Sequence, residues 1–356
     1  MIFSWTKNKE IWYNNNHIMH KTKNRFIKYQ DNFLFLIKSD ATYNLIKLNS
    51  EIIAFTFEWM KRNHVEIVSL PVSTQSISSP MGLGSDSLPY KVFSSLKPNY
   101  SFYLADSMQF YLELLLRNKG IERIGYISPS FRGEKVDHRH LHQFYHFEIE
   151  IKGNQNQAKE LVISYLKKLI TRLVNKMPGI LNSYNVENVF RLKKWIEKEV
   201  YNLDFVDAVS ILEKEHNIGL ETKNGFININ SKGEKYLIQK FSDKILWLNN
   251  FPWINTPFYQ KRFGEYSLTS DLLIGIGETV GLGERCFYYD ETVASINNHQ
   301  NKQNEYKWYL QMKKEEPLQT SGFGIGIERL ILFITGLEDI RDAQIIPRLT
   351  DMEVLP

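Results

Sequence analysis

The sequence predicts an α+β fold: a mostly antiparallel β-sheet flanked by helices, with a helical insertion. Three observations predict it. Strand-length apolar alternations fall in two runs, and a long stretch of helical periodicity separates them. The chain then closes with a glycine-punctuated strand and an apolar helix, SGFGIGIERLILFITGL. Its 356 residues, 43% hydrophobic, are enough for one large domain or two modest ones.

In chain order, residues 1–45 read as an Asn-, Lys- and His-rich N-terminal extension. Leu48, Ile52, Phe55, Trp59 and Met60 then recur near helical spacing, and VEIVSLP reads as a strand stopped by Pro71. STQSISSPMGLGSDSLP is a Ser/Gly/Pro loop. A strand over 100–106 and a helix closed by Gly120 follow. Strands are expected at 123–132 and 140–151, a helical insertion over about 155–235, and strands again in KILWLNNFP, FYQKR and SDLLIGIGE.

Composition narrows the function classes. The net charge of +4 comes without a long single-sign run, so it permits an anionic partner without demanding nucleic acid. One cysteine, Cys286, excludes an internal disulfide framework and points to a reducing compartment. The N-terminus has no apolar signal core, and RLILFITGL is too short to span a bilayer, so a soluble cytoplasmic protein is expected.

The stretch FRGEKVDHRHLHQF poses a chemical question, because His138, His140 and His142 fall at alternating positions among two arginines, Arg132 and Arg139, and an aromatic, Phe144. From 140 to 150 the even residues are His140, His142, Phe144, His146, Glu148 and Glu150. The odd ones, from Leu141 to Ile151, are largely apolar. This is a half-buried strand whose polar face looks into solvent or a site. Three readings fit: a solvated face, a zinc ligand set, or a phosphate cradle in which Arg132, Arg139 and His140 surround a hairpin mouth. Downstream, Gly322, Gly324 and Gly326 alternate in GFGIGIERL, which leaves one strand face bare for close approach by a ligand or backbone.

Together these segments resemble the signature motifs of class II aminoacyl-tRNA synthetases, most closely the asparaginyl branch. FRGE…RHLHQFYHFEIE resembles motif 2, GFGIGIERLILFITGLEDIRDAQIIPR resembles motif 3, and the helix and strand ending at Pro71 resemble the dimer-forming motif 1. The resemblance, over about residues 48–350, implies a class II synthetase-type catalytic domain over 46–356 and resolves the hairpin as an ATP-binding one. It implies that Arg132 holds the α-phosphate and the amino-acid carboxylate, and that Glu134 meets the adenine amino group. Arg139 and His140 would steer the outer phosphates, and Phe144 and Arg329 would sandwich adenine. Asp271 and Glu278 would hold Mg2+. Arg132 and Arg329 are the implied catalytic residues.

The same resemblance places the amino acid against Ser107, Gln109, Arg132 and Arg285. Where the aspartate branch has a lysine this chain has Leu112, followed by Glu113, which is expected to accept from a carboxamide. Asparagine is therefore favoured over aspartate. Some features depart from the family: too few residues precede motif 1 for the usual anticodon-binding OB-fold, the KVDH loop is short, HLAEF becomes HLHQF, and Thr256 stands where lysine is usual. The expectation is a homodimeric ATP-dependent ligase, pairing through 48–71, that forms an aminoacyl-adenylate and passes it to an amine acceptor other than tRNA. Alternatives are asparagine synthesis from aspartate and ammonia, a minimal tRNA-charging enzyme, and a non-catalytic amino-acid sensor.

Overall fold

The computed structural model describes residues 25–79, 83, 88–97 and 99–349. Most of the extension expected over 1–45, and much of the Ser/Gly/Pro loop after residue 79, lie outside the described residues.

Helices Arg25–Asp31 and Asp40–Arg62 precede the short strands β1 (Glu66–Ile67) and β2 (Ser73–Thr74). β2 joins β3 (Tyr90–Phe93) and β4 (Ser101–Leu104) in a small sheet, and helix Gln109–Leu115 leads into the hairpin β5 (Arg123–Phe131) and β6 (Gln143–Lys152). The insertion carries helices Gln155–Lys176, Pro178–Tyr184 and Asn188–Glu197, strand β7 (Glu199–Asp204), helix Phe205–Glu213, hairpin β8 (Leu220–Lys223)–β9 (Phe226–Ile229) and helix Ser231–Lys240. Then come β10 (Lys244–Asn249), the ribbon β11 (Arg262–Phe263)–β12 (Tyr266–Ser267), β13 (Thr269–Ile274) and β14 (Gly277–Glu284). Helices Tyr289–Asn298 and Lys307–Glu315, β15 (Thr320–Gly326) and helix Ile327–Thr335 complete the order.

The main sheet runs β1-β5-β6-β15-β14-β13-β10-β7. Its inner pairs are antiparallel, and only the two edges, β1 on β5 and β7 on β10, are parallel. The apolar face of β6 (Phe147, Ile149 and Ile151) is buried beneath helices Asp40–Arg62 and Gln155–Lys176. Each such side chain contributes about 1.5–3 kcal/mol by leaving water. Ser39 caps the first of these helices by accepting from the Thr42 N–H. Trp59 packs edge-on against both Phe147 and Tyr165, and Thr56 shares a buried hydrogen bond with Tyr165. Trp59 and Phe55 lie in the 48–71 segment expected to pair a dimer, and both are buried in the core of the chain itself.

Two expectations need correction. The boundary at residue 45 falls inside a continuous helix, and residues 25–45 are packed: Arg25 reaches the Ile345 carbonyl and the Phe26 N–H donates to Asp342. The insertion is not wholly helical, since it adds β7 to the sheet edge and the β8–β9 hairpin outside it. β7 is exposed along most of its length and owes its strand state to pairing with β10, a partner that local periodicity does not reveal. Among the described residues no helix is long and apolar enough to cross a membrane.

Candidate active site

The polar face of β6 and the bare face of β15 form one platform. Gly322 pairs with Glu150, Gly324 with Glu148 and Gly326 with His146. A Cβ on Gly322 would collide with the Glu150 carboxylate and lie 2.6 Å from an Arg285 terminal nitrogen. The glycine alternation thus makes room for charged side chains to lie flat across the sheet.

Arg132, Glu134, Arg139, His140, Phe144, Glu278 and Arg329 line a cleft of about 570 Å³ above this platform. It opens into a larger cleft of about 2050 Å³ that adds Ser107, Gln109, Asp271 and Arg285. The insertion walls one side of that space with Glu221, Asn228, Asn230 and Glu234. All the residues expected at a site converge here except Glu113.

At the hairpin mouth the Arg132 N–H donates to the His142 carbonyl (2.9 Å), fixing the turn, while the Arg132 guanidinium lies 5.5 Å from the Phe144 ring centre. The Arg132 Nε is buried without a hydrogen-bond partner, as are Nε and Nη1 of Arg139. Buried donors left open in a cleft are suited to an anionic ligand. Arg139 spends Nη2 on Glu234 (2.7 Å), and His140 turns to Asp137 (3.0 Å). His142 packs edge-on against Tyr90. His140 and His142 therefore have separate neighbours, and among the described residues no three His, Cys, Asp or Glu side chains converge on a metal position.

Asp271 and Glu278 come from adjacent strands and face the same space over Gly281, whose Cβ position lies 3.0 Å from Glu278 Oε1 and 3.9 Å from Asp271 Oδ1. Burial first, then the nearby charges of Glu278 and Glu234, push the Asp271 carboxyl well above the usual carboxylate range. Hard oxygen donors crowded in this way fit a magnesium ion that draws its remaining ligands from phosphate and water. Arg329 donates to the Glu278 carbonyl (2.6 Å) and carboxylate (3.3 Å), tying the last helix to this pair. Its neighbour Glu328 accepts from the Tyr145 N–H (3.0 Å), and burial raises its carboxyl to about 7.

In the inner corner Arg285 is held by four oxygens. Its Nε and Nη2 form a fork on Glu150 (3.0 Å each), Nη1 meets Gln260 (3.2 Å) and Nη2 also meets Gln109 (3.2 Å). Ser107 donates to Glu148 (2.6 Å), which also takes bonds from Tyr126 and His146. Burial alone would raise the Glu148 carboxyl, but these bonds hold it below its ordinary range.

Glu113 is a correction. Its carboxylate is fully buried, takes bonds from Lys313 Nζ (2.6 Å) and the Tyr309 hydroxyl (2.7 Å), and does not line the cleft, so it is not placed to accept from a substrate amide. Glu150, Glu148, Gln260 and Glu234 hold site positions that were not singled out. The first two were visible as members of the polar face of 140–150. Glu234 carried no local signal.

The sequence matches the family described as tRNA synthetases class II (D, K and N) over residues 24–350. It is 27% identical to the asparagine–tRNA ligase of Pyrococcus abyssi over 322 residues, 88% of this chain and 70% of that protein. The corresponding ligase of Thermoplasma acidophilum is 30% identical over 264 residues, 69% of this chain and 57% of the relative. The chain spans about half the length of other curated relatives, such as the Ureaplasma parvum ligase (51% covered, 28% identical, over 62% of this chain). Among solved structures, asparaginyl-tRNA synthetase from Pyrococcus horikoshii, complexed with asparaginyl-adenylate, superposes with a TM-score of 0.82 at 23% identity. That alignment covers 94% of this chain and 74% of the other, and at this identity it establishes the fold alone.

Proposed function

Since the chain belongs to the class II tRNA synthetases of the aspartate, lysine and asparagine group, we propose that it activates an amino acid, asparagine in preference to aspartate, by adenylation with ATP. The carrying observation is the fork of Arg285 on Glu150, deep in the corner where the amino-acid side chain is expected. A guanidinium whose charge is already offset suits a neutral carboxamide. An uncompensated one would draw a carboxylate.

In this reading adenine lies between Phe144 and Arg329, with Glu134 at its amino edge. Arg132 holds the α-phosphate and the substrate carboxylate side by side, and Arg139 and His140 take the outer phosphates. The carboxylate oxygen attacks the α-phosphorus in line. The bond to the α,β-bridging oxygen breaks, and pyrophosphate leaves with the electron pair. Asp271 and Glu278 would hold Mg2+, which offsets phosphate charge when bound. No protein nucleophile is required, so catalysis is positioning and electrostatics. The curated relatives are named tRNA ligases, which favours tRNA as the acceptor over the non-tRNA amine expected from sequence.

The test is ATP–pyrophosphate exchange without tRNA, comparing asparagine with aspartate. Exchange with asparagine is expected. Exchange with neither amino acid would remove the adenylation reading. pH offers a sharper check, because burial raises the Glu150 carboxyl to about 7 against the opposing pull of Arg285. Above that pH Glu150 is charged and offsets Arg285. Below it Glu150 is neutral, and the free guanidinium charge favours aspartate. The aspartate-to-asparagine ratio of kcat/KM is therefore expected to rise about tenfold from about pH 8 to about pH 6. Glu150→Gln should hold the high ratio at every pH, and a flat ratio in the unmutated protein would contradict this assignment.

A further inference from the structure

The cleft contains four arginines, and three of them carry a carboxylate of their own. Arg285 has Glu150 (3.0 Å), Arg329 has Glu278 (3.3 Å) and Arg139 has Glu234 (2.7 Å). Of these four, Arg132 forms no ion pair with a described residue. The first two carboxylates come from the sheet that builds the platform. Glu234 comes from helix Ser231–Lys240 of the insertion, 95 residues from its arginine.

Its placement is tightly constrained. Gly277, in a left-handed conformation (φ 144), passes directly under the pair. A Cβ there would sit against the Glu234 carboxylate and 2.7 Å from Arg139 Nη2. The pair is thus pinned one residue before Glu278, at the carboxylate end of the cleft. Arg139 is nine-tenths buried, and its Nε and Nη1 remain without partners, so it keeps donors open while its charge is offset.

We propose that Glu234 makes this site selective for a metal-complexed nucleoside triphosphate over a metal-free one. The inference rests on the nucleotide reading above. A bare triphosphate approaching the open edge of Arg139 meets Glu234 across the guanidinium, with Asp271 and Glu278 beside it. At a few ångströms in a partly buried cleft, such like charges repel strongly enough to weaken binding. A divalent cation held on the phosphates removes most of that repulsion. The insertion thereby supplies a charge filter that the platform does not contain.

The test is the affinity of the full chain for ATP with chelator, for ATP with magnesium and for AMP, measured by calorimetry for the unmutated protein and Glu234→Gln. The amide keeps the shape of the carboxylate and removes its charge. Expected are roughly tenfold tighter binding of metal-free ATP, a change below about threefold for the magnesium complex, and unchanged AMP, which lacks the outer phosphates. Glu234→Ala should shift in the same direction, which guards against a folding defect peculiar to one variant. An unchanged ratio of metal-free to magnesium-bound affinity overturns the proposal. So does weaker binding of both ATP forms, which would make Glu234 a residue that positions Arg139, and so does an equal shift for AMP. If the unmutated protein binds neither ATP nor AMP, the nucleotide reading itself fails. If it binds both and the variants are indifferent, only the filter fails.

Discussion

Arg132→Ala is expected to lower asparagine-dependent pyrophosphate exchange by about a thousandfold, the scale seen when one preorganised donor is removed from a developing charge. The backbone at this position is fixed by the bond to His142, and the guanidinium lies over Phe144 with its Nε unpartnered. Arg132 is also the one cleft arginine without an ion pair among the described residues, so its full charge is available to an anionic ligand, which in the proposed reaction is the α-phosphate. Truncation strands no buried carboxylate, and the thermal midpoint should move by only a few degrees. Arg132→Lys should recover little, because an ammonium lacks the fork that spans two oxygens. A variant with ordinary exchange would remove Arg132 from the mechanism.

The second large effect is on stability. Lys313 and Glu113 are both fully buried, and Lys313 also donates to the Cys286 carbonyl (2.7 Å). Burial alone would raise the Glu113 carboxyl, but Lys313, Arg285 and Tyr309 bring it below its ordinary range. Removing the lysine leaves an uncompensated charge in the interior, so Lys313→Ala is expected to cost about 3–5 kcal/mol in denaturant unfolding. The double change Lys313→Met with Glu113→Leu should cost clearly less, because both charges leave together. A loss below about 1 kcal/mol for the single variant would mean that the pair is hydrated and does little for the fold. The helices Gln109–Leu115 and Lys307–Glu315 that carry the pair also back the Arg285 corner, so the destabilised variant should bind asparagine more weakly.

Much of the site was legible because it is written in short periods. Alternation over 140–151 assigns Phe144, His146, Glu148 and Glu150 to one face of β6, and the glycine alternation assigns the bare face of β15. Both follow from the two-residue repeat of a strand, a local property. The family resemblance then attached roles to residues that the structure brings into one cleft. The same reasoning misplaced Glu113, because a helix position says which way a side chain leaves the helix and nothing about the lysine 200 residues later that meets it.

The sequence by itself determined the strand faces, the bare glycine track, the arginines at the cleft and the α+β class. Only the tertiary structure decided which carboxylate answers each arginine, that the insertion lends β7 to the sheet edge, and that Glu234 reaches Arg139. Periodicity is set by backbone geometry within a few residues. Charge pairing and edge-strand pairing are set by chain segments that meet only once the sheet has closed its order, and at those distances nothing local encodes the partner.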